Sequence, residues 1–149
     1  MSRMATAGAG LSDLYGRISQ FYAEQMRLLD AGAAEDWAAT FTKDGVFWQN
    51  VDAAPLRGRA AIAAAARHRV ERLRADGLVR RHWLGMVRID SKPNGTVRTR
   101  YYAMAMATGS HATGDGLRVY ASTVAEDVLV ASPNGWLVAD RRVLHDGVA

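Results

Sequence analysis

The 149-residue sequence contains no cysteine. This absence excludes disulfides, thiol nucleophiles and thiolate metal sites, and it suits a reducing compartment. Long apolar runs are also missing, because no stretch approaches the roughly 18 consecutive apolar residues that a membrane span requires. The first residues hold no apolar core of signal-peptide length. We therefore expect a cytoplasmic protein that has no membrane partner.

The sequence also lacks the common cofactor and nucleophile signatures. It has no glycine-rich dinucleotide motif, no phosphate loop, no Gly-x-Ser-x-Gly motif and no His-Glu-x-x-His motif. None of its four histidines has metal-ligand spacing to another histidine or to a carboxylate. These are His68, His82, His111 and His145. We predict a protein that uses neither a cofactor nor a metal ion.

The positive charge raises the question of nucleic-acid binding, because the net charge is +4 and the sequence pI is about 9.8. Four arginines lie within residues 67–74, but helical spacing spreads them around the helix, and Glu71 and Asp76 interrupt them. A nucleic-acid surface would concentrate arginines on one face with aromatic partners. The pattern is typical of a solvated outer face, and we predict no nucleic-acid partner.

The chain is long enough for one ordinary domain and too short for two comfortable cores. Residues 1–10 are small and polar without periodicity, and we expect them to be mobile. The remainder shows no repeats and no linker composition. We predict a flexible N-terminus over residues 1–10 and a single domain over residues 11–147.

Helical periodicity dominates the first half of the domain. Apolar residues recur at helical spacing from Ser12, a candidate N-cap, to a stop near Gly32, which can adopt the left-handed capping conformation. A short second helix would place Trp37 and Phe41 one turn apart on one face. An alanine-rich segment predicts a third helix over residues 59–75.

The period changes from helical to two after Gly77. Matching Pro-Asn-Gly turns at residues 93–95 and 133–135 predict antiparallel hairpins. This order predicts an α+β fold in which three helices cover one face of a strongly bent antiparallel sheet. The predicted strands lie near residues 46–48, 80–90, 96–107, 117–130 and 135–145.

Four polar residues interrupt otherwise apolar patterns. Gln25 lies within roughly 20° of the centre of the first helix's apolar stripe. Asp30 ends that helix at the edge of the stripe, where the helix dipole disfavours an anion without a partner. Gln49 shares the inward side of the first strand, and His82 alternates with apolar residues in a later strand. Each is a candidate site residue, and a satisfied structural polar group is the alternative for each.

The ordered motifs resemble the SnoaL-like, nuclear transport factor 2-like superfamily. The similarity spans about residues 11–145, nearly the whole chain. The segments that carry it are Phe21-Tyr22-Ala23-Glu24-Gln25-Met26-Arg27-Leu28-Leu29-Asp30, then Asp36-Trp37, Phe41 and Asp44-Gly45-Val46-Phe47, Leu56-Arg57-Gly58-Arg59-Ala60-Ala61-Ile62, and Gly135-Trp136-Leu137-Val138-Ala139-Asp140-Arg141-Arg142-Val143.

The resemblance implies a cone-shaped α+β barrel around an apolar pocket. In the family's scytalone dehydratase and lindane dehydrochlorinase, a strand histidine pairs with an aspartate that ends the first helix. His82, in Arg81-His82-Trp83-Leu84-Gly85, and Asp30 stand at the matching positions. The dehydratase's second strand histidine has no counterpart in residues 104–107, and Gln49 replaces the catalytic aspartate of ketosteroid isomerase. Steroid isomerisation by that mechanism is therefore excluded, and a single His–Asp pair remains.

From these residues we predict a cofactor-independent cyclase, dehydratase or isomerase acting on a hydrophobic, polyketide-type molecule. His82 would be the general base, and Asp30 would hold its tautomer and stabilise the imidazolium. The resemblance further implies a homodimer formed through the outer face of the sheet. The predicted substrate-binding residues are Tyr22, Gln25, Gln49, Met104, Met106 and Tyr120.

Two other functions fit the same resemblance. The first is a non-catalytic small subunit like the β subunit of ring-hydroxylating dioxygenases, for which this chain is short. The second is a protein that only binds a small apolar ligand, in which His82 would lack its carboxylate partner.

Overall fold

The computed structural model describes residues 2–114 and 116–148. Within these residues, the fold consists of three α-helices and six strands, with a short 3-10 helix at His111–Thr113. The helices are α1 (Ser2–Asp30), α2 (Ala34–Ala38) and α3 (Arg59–Ala75). The strands are β1 (Phe41–Gln49), β2 (Leu56–Arg57), β3 (Val79–Ser91), β4 (Val97–Thr108), β5 (Leu117–Ser132) and β6 (Gly135–His145).

The first helix is longer at its start than the sequence pattern predicts. It begins at Ser2 instead of Ser12, so residues 2–10, predicted to be mobile, are helical. An apolar stripe reports packing rather than helix formation, and the alanines of this segment favour helix by intrinsic propensity. Met1, which belongs to the same predicted segment, lies outside the described residues.

The end of α1 confirms the predicted glycine cap. Gly32 has φ +80°, a left-handed conformation that costs a residue with Cβ more than glycine. The backbone N–H of Ala33 donates to the Leu28 carbonyl at 2.9 Å, and that of Gly32 donates to the Leu29 carbonyl at 3.1 Å. This Schellman-type ending stops the helix and fixes the position of Asp30, its last residue.

The second helix is shorter than predicted, because Phe41 already belongs to β1. The contact expected between Trp37 and Phe41 forms nevertheless, with ring centroids 5.0 Å apart. A tight connection after Ala38 lets β1 begin against the same aromatic cluster, so the chain changes from helix to strand without leaving the core.

The six strands form one mixed sheet in the order β2-β1-β6-β5-β4-β3. The four predicted strands after Gly77 are confirmed, and so are the hairpins that join β3 to β4 and β5 to β6. The prediction of a purely antiparallel sheet is wrong at one pairing, because β1 and β6 run parallel. These two strands come from opposite ends of the domain, so no local turn signal specifies their direction.

Register shifts bend the sheet. They occur in the pairings of β1 with β6, β3 with β4, β4 with β5 and β5 with β6. In β3 the shift includes Met86, which has φ +54°, a conformation that residues other than glycine seldom adopt. Because such irregularities increase local bend and twist, the sheet curves strongly around the helices without closing.

Small side chains leave room inside this curve. The apolar core, which includes Ile18, Trp37, Phe41 and Ile62, fills one part of the concave side. On the rest, inward positions of β3 face alanines of β4 and leave space that larger side chains would occupy. The pairs are Arg80 with Ala107, His82 with Ala105, and Leu84 with Ala103.

Candidate active site

Asp30 and His82 form a close pair at the junction of α1 and β3. The Nδ1 atom of His82 lies 2.6 Å from Oδ1 of Asp30, and the backbone N–H of His82 donates to Oδ2 at 3.0 Å. The exposed fractions of the two side chains are 16% for His82 and 12% for Asp30. The proximity predicted from the sequence is therefore present in the structure.

The two contacts explain how a carboxylate persists at the C-terminal end of a helix. Unpaired helix carbonyls there disfavour an anion, and the two N–H donors of His82 offset this repulsion. In return, the carboxylate orients the ring. When Nδ1 donates to Asp30, the other ring nitrogen, Nε2, is the basic one, which is the arrangement a general base requires.

A cavity of about 440 Å³ lies beside the pair on the concave side of the sheet. His82 contributes to its wall together with the inward alanines of β4 and with aromatic side chains of α2 and β1. Apolar lining of this kind suits a hydrophobic ligand, and a few polar groups can orient it. The polar or charged lining residues include Gln49, Arg69, Arg80, Tyr101, Arg141 and His145.

A second polar cluster lies at the buried side of this cavity, and two of its members, Tyr101 and Arg141, line the cavity wall. The Arg141 guanidinium donates to Asp127 from Nε and from Nη2, each at 2.9 Å. The hydroxyl of Tyr22 donates to Oδ2 of Asp127 at 2.7 Å, and that of Tyr101 donates at 3.0 Å. The side chains of Arg141 and Asp127 are only 4% and 0% exposed. We call these four residues the buried cluster.

Burial and charge pairing shift the pKa of three members of the buried cluster. Burial, followed for Tyr22 by the charge of Asp127, raises the pKa of Tyr22 and Tyr101 well above the usual tyrosine value. Burial disfavours the Arg141 cation, but the charge of Asp127 outweighs this effect and raises the pKa of Arg141. Both tyrosines therefore stay neutral and Arg141 stays charged at neutral pH.

The predicted substrate-binding residues fall into two groups. Gln49, Met104 and Tyr120 line the cavity, although the Met104 residue is also 43% exposed. Tyr22 is buried in the cluster, and its hydroxyl is engaged there. Gln25 is fully buried: its side-chain amide donates to Thr40 Oγ1 at 2.7 Å, and its oxygen accepts from Arg141 Nη2 at 2.7 Å.

The structure does not bring Tyr22, Gln25 or Met106 to the described cavity wall. Gln25 does point away from water, as the helical pattern predicts, but the groups it meets belong to the protein. Met106 lies opposite Arg81 in the β3–β4 register, one position out of step with the inward alanines. For these three residues, ligand contact stays a prediction without a structural contact to support it.

His145 is a cavity residue that is not among the candidates predicted from the sequence. The strand β6 lies between β1 and β5, and His145 lines the cavity. Its Nε2 atom lies 2.8 Å from Oε1 of Gln49. The alternation of Arg141, Val143 and His145 was a usable signal, since all three share one face of β6 and line the cavity.

The described part of the chain, residues 2–114 and 116–148, contains no group of three histidine or acidic side chains arranged to hold a metal ion. None of the helices in it is long and apolar enough to cross a membrane.

Comparison with known proteins identifies the family. The model of the SnoaL-like domain family matches residues 12–142. This chain belongs to the SnoaL-like domain family. No curated protein sequence matches it.

Several solved structures are similar to this SnoaL-like chain over most of its length. A protein from Catenulispora acidiphila in complex with S-DNPA is 36% identical, with 91% of this chain and 95% of that chain covered and a TM-score of 0.79. Aln2 from a Streptomyces species is 31% identical, with 90% and 91% covered and a TM-score of 0.81. ActVI-ORFA from Streptomyces coelicolor is 28% identical, with 93% and 98% covered and a TM-score of 0.82.

The β subunit of a putative aromatic-ring-hydroxylating dioxygenase of Novosphingobium aromaticivorans is more distant. It is 20% identical, with 90% of each chain covered and a TM-score of 0.71. Identity this low shows a shared fold and carries no functional assignment. The proposal of a non-catalytic subunit therefore gains no specific support from it.

Proposed function

We propose that this SnoaL-like protein is a cofactor-independent enzyme that transfers a proton on a hydrophobic, polyketide-type substrate. In the proposed reaction, Nε2 of His82 takes a proton from an activated carbon or hydroxyl group of the substrate. Asp30 holds the Nδ1–H tautomer and stabilises the imidazolium that forms. Cyclisation, dehydration and isomerisation can all begin with this step.

The observation that carries the proposal is the Asp30–His82 geometry beside an apolar cavity. The carboxylate contacts both the ring and the backbone N–H of His82, so the ring orientation is fixed before a substrate arrives. A protein that only binds a ligand has no need for this doubly anchored imidazole. The relative from Catenulispora acidiphila is in complex with S-DNPA, which supports a small-molecule ligand for this chain.

Gln49 and His145 supply a second polar pair in the cavity wall. The amide oxygen of Gln49 accepts from His145 Nε2 at 2.8 Å, and its amide nitrogen lies 3.3 Å from Asp52 Oδ2. Because these contacts fix the orientation of the Gln49 amide, its second N–H can donate to a carbonyl or enolate oxygen of the substrate with little loss of side-chain entropy. We assign this pair to substrate orientation, with Tyr120 and Met104 as part of the wall.

Proton exchange tests the proposal without knowledge of the natural substrate. 2-Tetralone, a bicyclic ketone with acidic hydrogens next to its carbonyl, is incubated with the protein in D2O, and deuterium incorporation is followed by NMR. We expect the protein to accelerate exchange and His82→Gln to lower the accelerated rate by about 10²–10⁴-fold. His68→Gln, which replaces an exposed histidine of α3, is the matched control and keeps the rate.

Binding is measured in parallel with S-DNPA, by calorimetry, together with a thermal melt of each variant. A His82→Gln variant that folds, binds S-DNPA and exchanges 2-tetralone at the normal rate would contradict the proposed chemistry. Binding of S-DNPA without any acceleration of exchange would favour the alternative of a ligand-binding protein.

Exposed apolar residues on the convex side of the sheet support the proposed homodimer. Trp83 is 69% exposed, Tyr102 58% and Val119 51%. They belong to adjacent strands β3, β4 and β5. We expect a dimer by light scattering and a shift towards monomer in Trp83→Glu, since a charge in an apolar interface is costly to bury.

A further inference from the structure

Arg80 is an arginine that faces the interior of the protein beside the catalytic pair. It lies two residues before His82 on β3, lines the same cavity and is only 8% exposed. Arginine is rarely buried unless its charge and its N–H donors are paired. The hydrogen-bond partners of the Arg80 guanidinium therefore indicate the role of this residue.

The protein supplies few partners to the Arg80 guanidinium. No carboxylate among the described side chains lies within ion-pair distance of it, and its buried Nε atom has no hydrogen-bond partner there. Its Nη2 atom reaches the Leu29 carbonyl only at 3.5 Å, a long contact. A buried cation with an unfilled donor is destabilising unless another molecule completes it.

Arg141 shows what the same donor edge does when it is filled. It uses Nε and Nη2 to hold both oxygens of Asp127 in a side-on fork. Both arginines line the cavity, but Asp127 neutralises the charge of Arg141, whereas no described carboxylate neutralises that of Arg80. The Nε–Nη2 edge of Arg80 thus lacks the carboxylate that fills the same edge of Arg141.

A second unfilled donor belongs to the same cavity wall. The indole N–H of Trp37 is buried and has no acceptor among the described residues. Trp37 packs against the rings of both Phe41 and Phe47, so the indole cannot easily turn to find a protein partner. Two residues of the wall, Arg80 and Trp37, therefore carry buried N–H groups that have no acceptor among the described residues.

We propose that Arg80 binds a carboxylate of the ligand, so that the substrate class is a hydrophobic carboxylic acid. The guanidinium fork would hold the carboxylate at one end of the cavity, and the apolar body would lie along the alanines of β4. Because Arg80 and His82 share one face of β3, this anchor would place the body of the ligand beside the imidazole. This inference rests on the proposed function only in placing the substrate in this cavity.

A purely structural role makes a different prediction. A cation near the C-terminal carbonyls of α1 would stabilise that helix end, through Leu29 in this case. In that role, removal of the charge lowers stability and changes the affinity for charged and neutral ligands equally. A ligand pair that differs only in charge separates the two roles.

2-Naphthoate and its neutral isostere 2-naphthamide provide such a pair, with dissociation constants measured by calorimetry. We expect the unaltered protein to bind 2-naphthoate about tenfold or more tightly than 2-naphthamide. Arg80→Met should reduce this ratio to about one and leave the affinity for 2-naphthamide unchanged. Arg81→Met removes the same charge from the adjacent exposed residue and should keep the ratio.

A ratio of one in the unaltered protein would overturn the inference, as would a ratio that Arg80→Met leaves intact. Loss of the ratio in Arg69→Met instead would assign the carboxylate to the other unneutralised cation of the wall. If Arg80→Met does not fold, the Nε–H resonance of Arg80 in the unaltered protein decides. It should move with 2-naphthoate and not with 2-naphthamide, and an unmoved resonance contradicts the proposal.

The outcomes separate this inference from the proposed function. His82→Gln should retain the preference for 2-naphthoate, because the carboxylate is bound by the guanidinium of Arg80 and not by His82. Retained preference with unchanged 2-tetralone exchange in His82→Gln would contradict the proton-transfer proposal alone. Lost exchange in His82→Gln without any preference for 2-naphthoate would contradict the carboxylate anchor alone.

Discussion

Asp127 and Asp30 each pair with a basic side chain, Arg141 and His82 respectively, but the two pairs differ in how far the protein fills their hydrogen bonds. Asp127 is completely buried, and its oxygens accept from Arg141 and from two tyrosine hydroxyls, so protein donors occupy both of its oxygens. Asp30 also uses both oxygens, but both contact His82, and the pair is 12–16% exposed beside the cavity. One pair is saturated by the protein, whereas the other leaves a basic ring nitrogen for an outside molecule. Saturation, more than polarity or burial, separates the structural site from the candidate active site.

The largest expected loss of stability comes from the saturated pair. Asp127→Asn removes the charge that compensates buried Arg141, and we expect the free energy of unfolding to fall by about 3–5 kcal/mol in urea titrations. The neighbouring Glu126→Gln is the matched control. Its side chain is 57% exposed and 3.7 Å from Arg100, so we expect a change of roughly 0–1 kcal/mol. Equal losses in both variants would contradict the distinction between the buried cluster and the surface.

Substitutions of two glutamines, one beside the buried cluster and one in the cavity wall, are expected to have effects of intermediate size. Gln25→Met removes the donor to Thr40 Oγ1 and leaves one Arg141 N–H unpaired in the interior. We expect a loss of about 1–3 kcal/mol of unfolding free energy with S-DNPA affinity unchanged. Gln49→Met changes the cavity wall and should alter S-DNPA affinity at little cost in stability. Calorimetry and urea titration on both variants give the two readouts. The reverse pattern would make Gln25 the ligand contact.

The smallest expected effect is a pH dependence of the buried cluster. Because burial raises the pKa of Tyr22 and Tyr101, the unfolded chain loses these protons first as the pH rises, near pH 10. The stability contribution is therefore complete below pH 10 and is lost above it, at up to about 1.4 kcal/mol per pH unit for each tyrosine. Tyr101→Phe should flatten this decline in urea titrations between about pH 9 and 11. Val97→Ala, a buried variant without a titratable group, should keep the slope, and an unchanged slope in Tyr101→Phe would contradict the account.

Much of the architecture follows from local sequence patterns. Alternation and two Pro-Asn-Gly turns predict β3 to β6 closely, because each of these signals acts between chain neighbours. The parallel pairing of β1 with β6 joins opposite ends of the domain, and no neighbouring residues encode its direction. The helical start at Ser2 has no comparable signal, because residues 2–10 lack the apolar stripe that predicts a packed helix.

The candidate site also contains residues whose roles could be predicted from the sequence and residues whose roles could not. The approach of Asp30 to His82 could be predicted, since one residue ends a helix and the other shares the position of a family motif. The role of Gln25 could not, because its partner Arg141 lies 116 residues further along the chain. The burial of Arg80 could not be predicted for another reason. Arg80 and Arg81 are adjacent in the sequence, and only the side of the sheet to which each side chain points makes one buried and the other exposed.

The most direct test of the central claim is a double-variant cycle on the Asp30–His82 pair. Rates of deuterium incorporation into 2-tetralone are compared for the unaltered protein, Asp30→Asn, His82→Gln and the double variant, each checked for folding. If the two residues act as one unit, His82→Gln lowers the rate by about 10²–10⁴-fold and adding Asp30→Asn lowers it no further. Losses that multiply in the double variant, or a normal rate in His82→Gln, would contradict the claim that this pair performs the proton transfer.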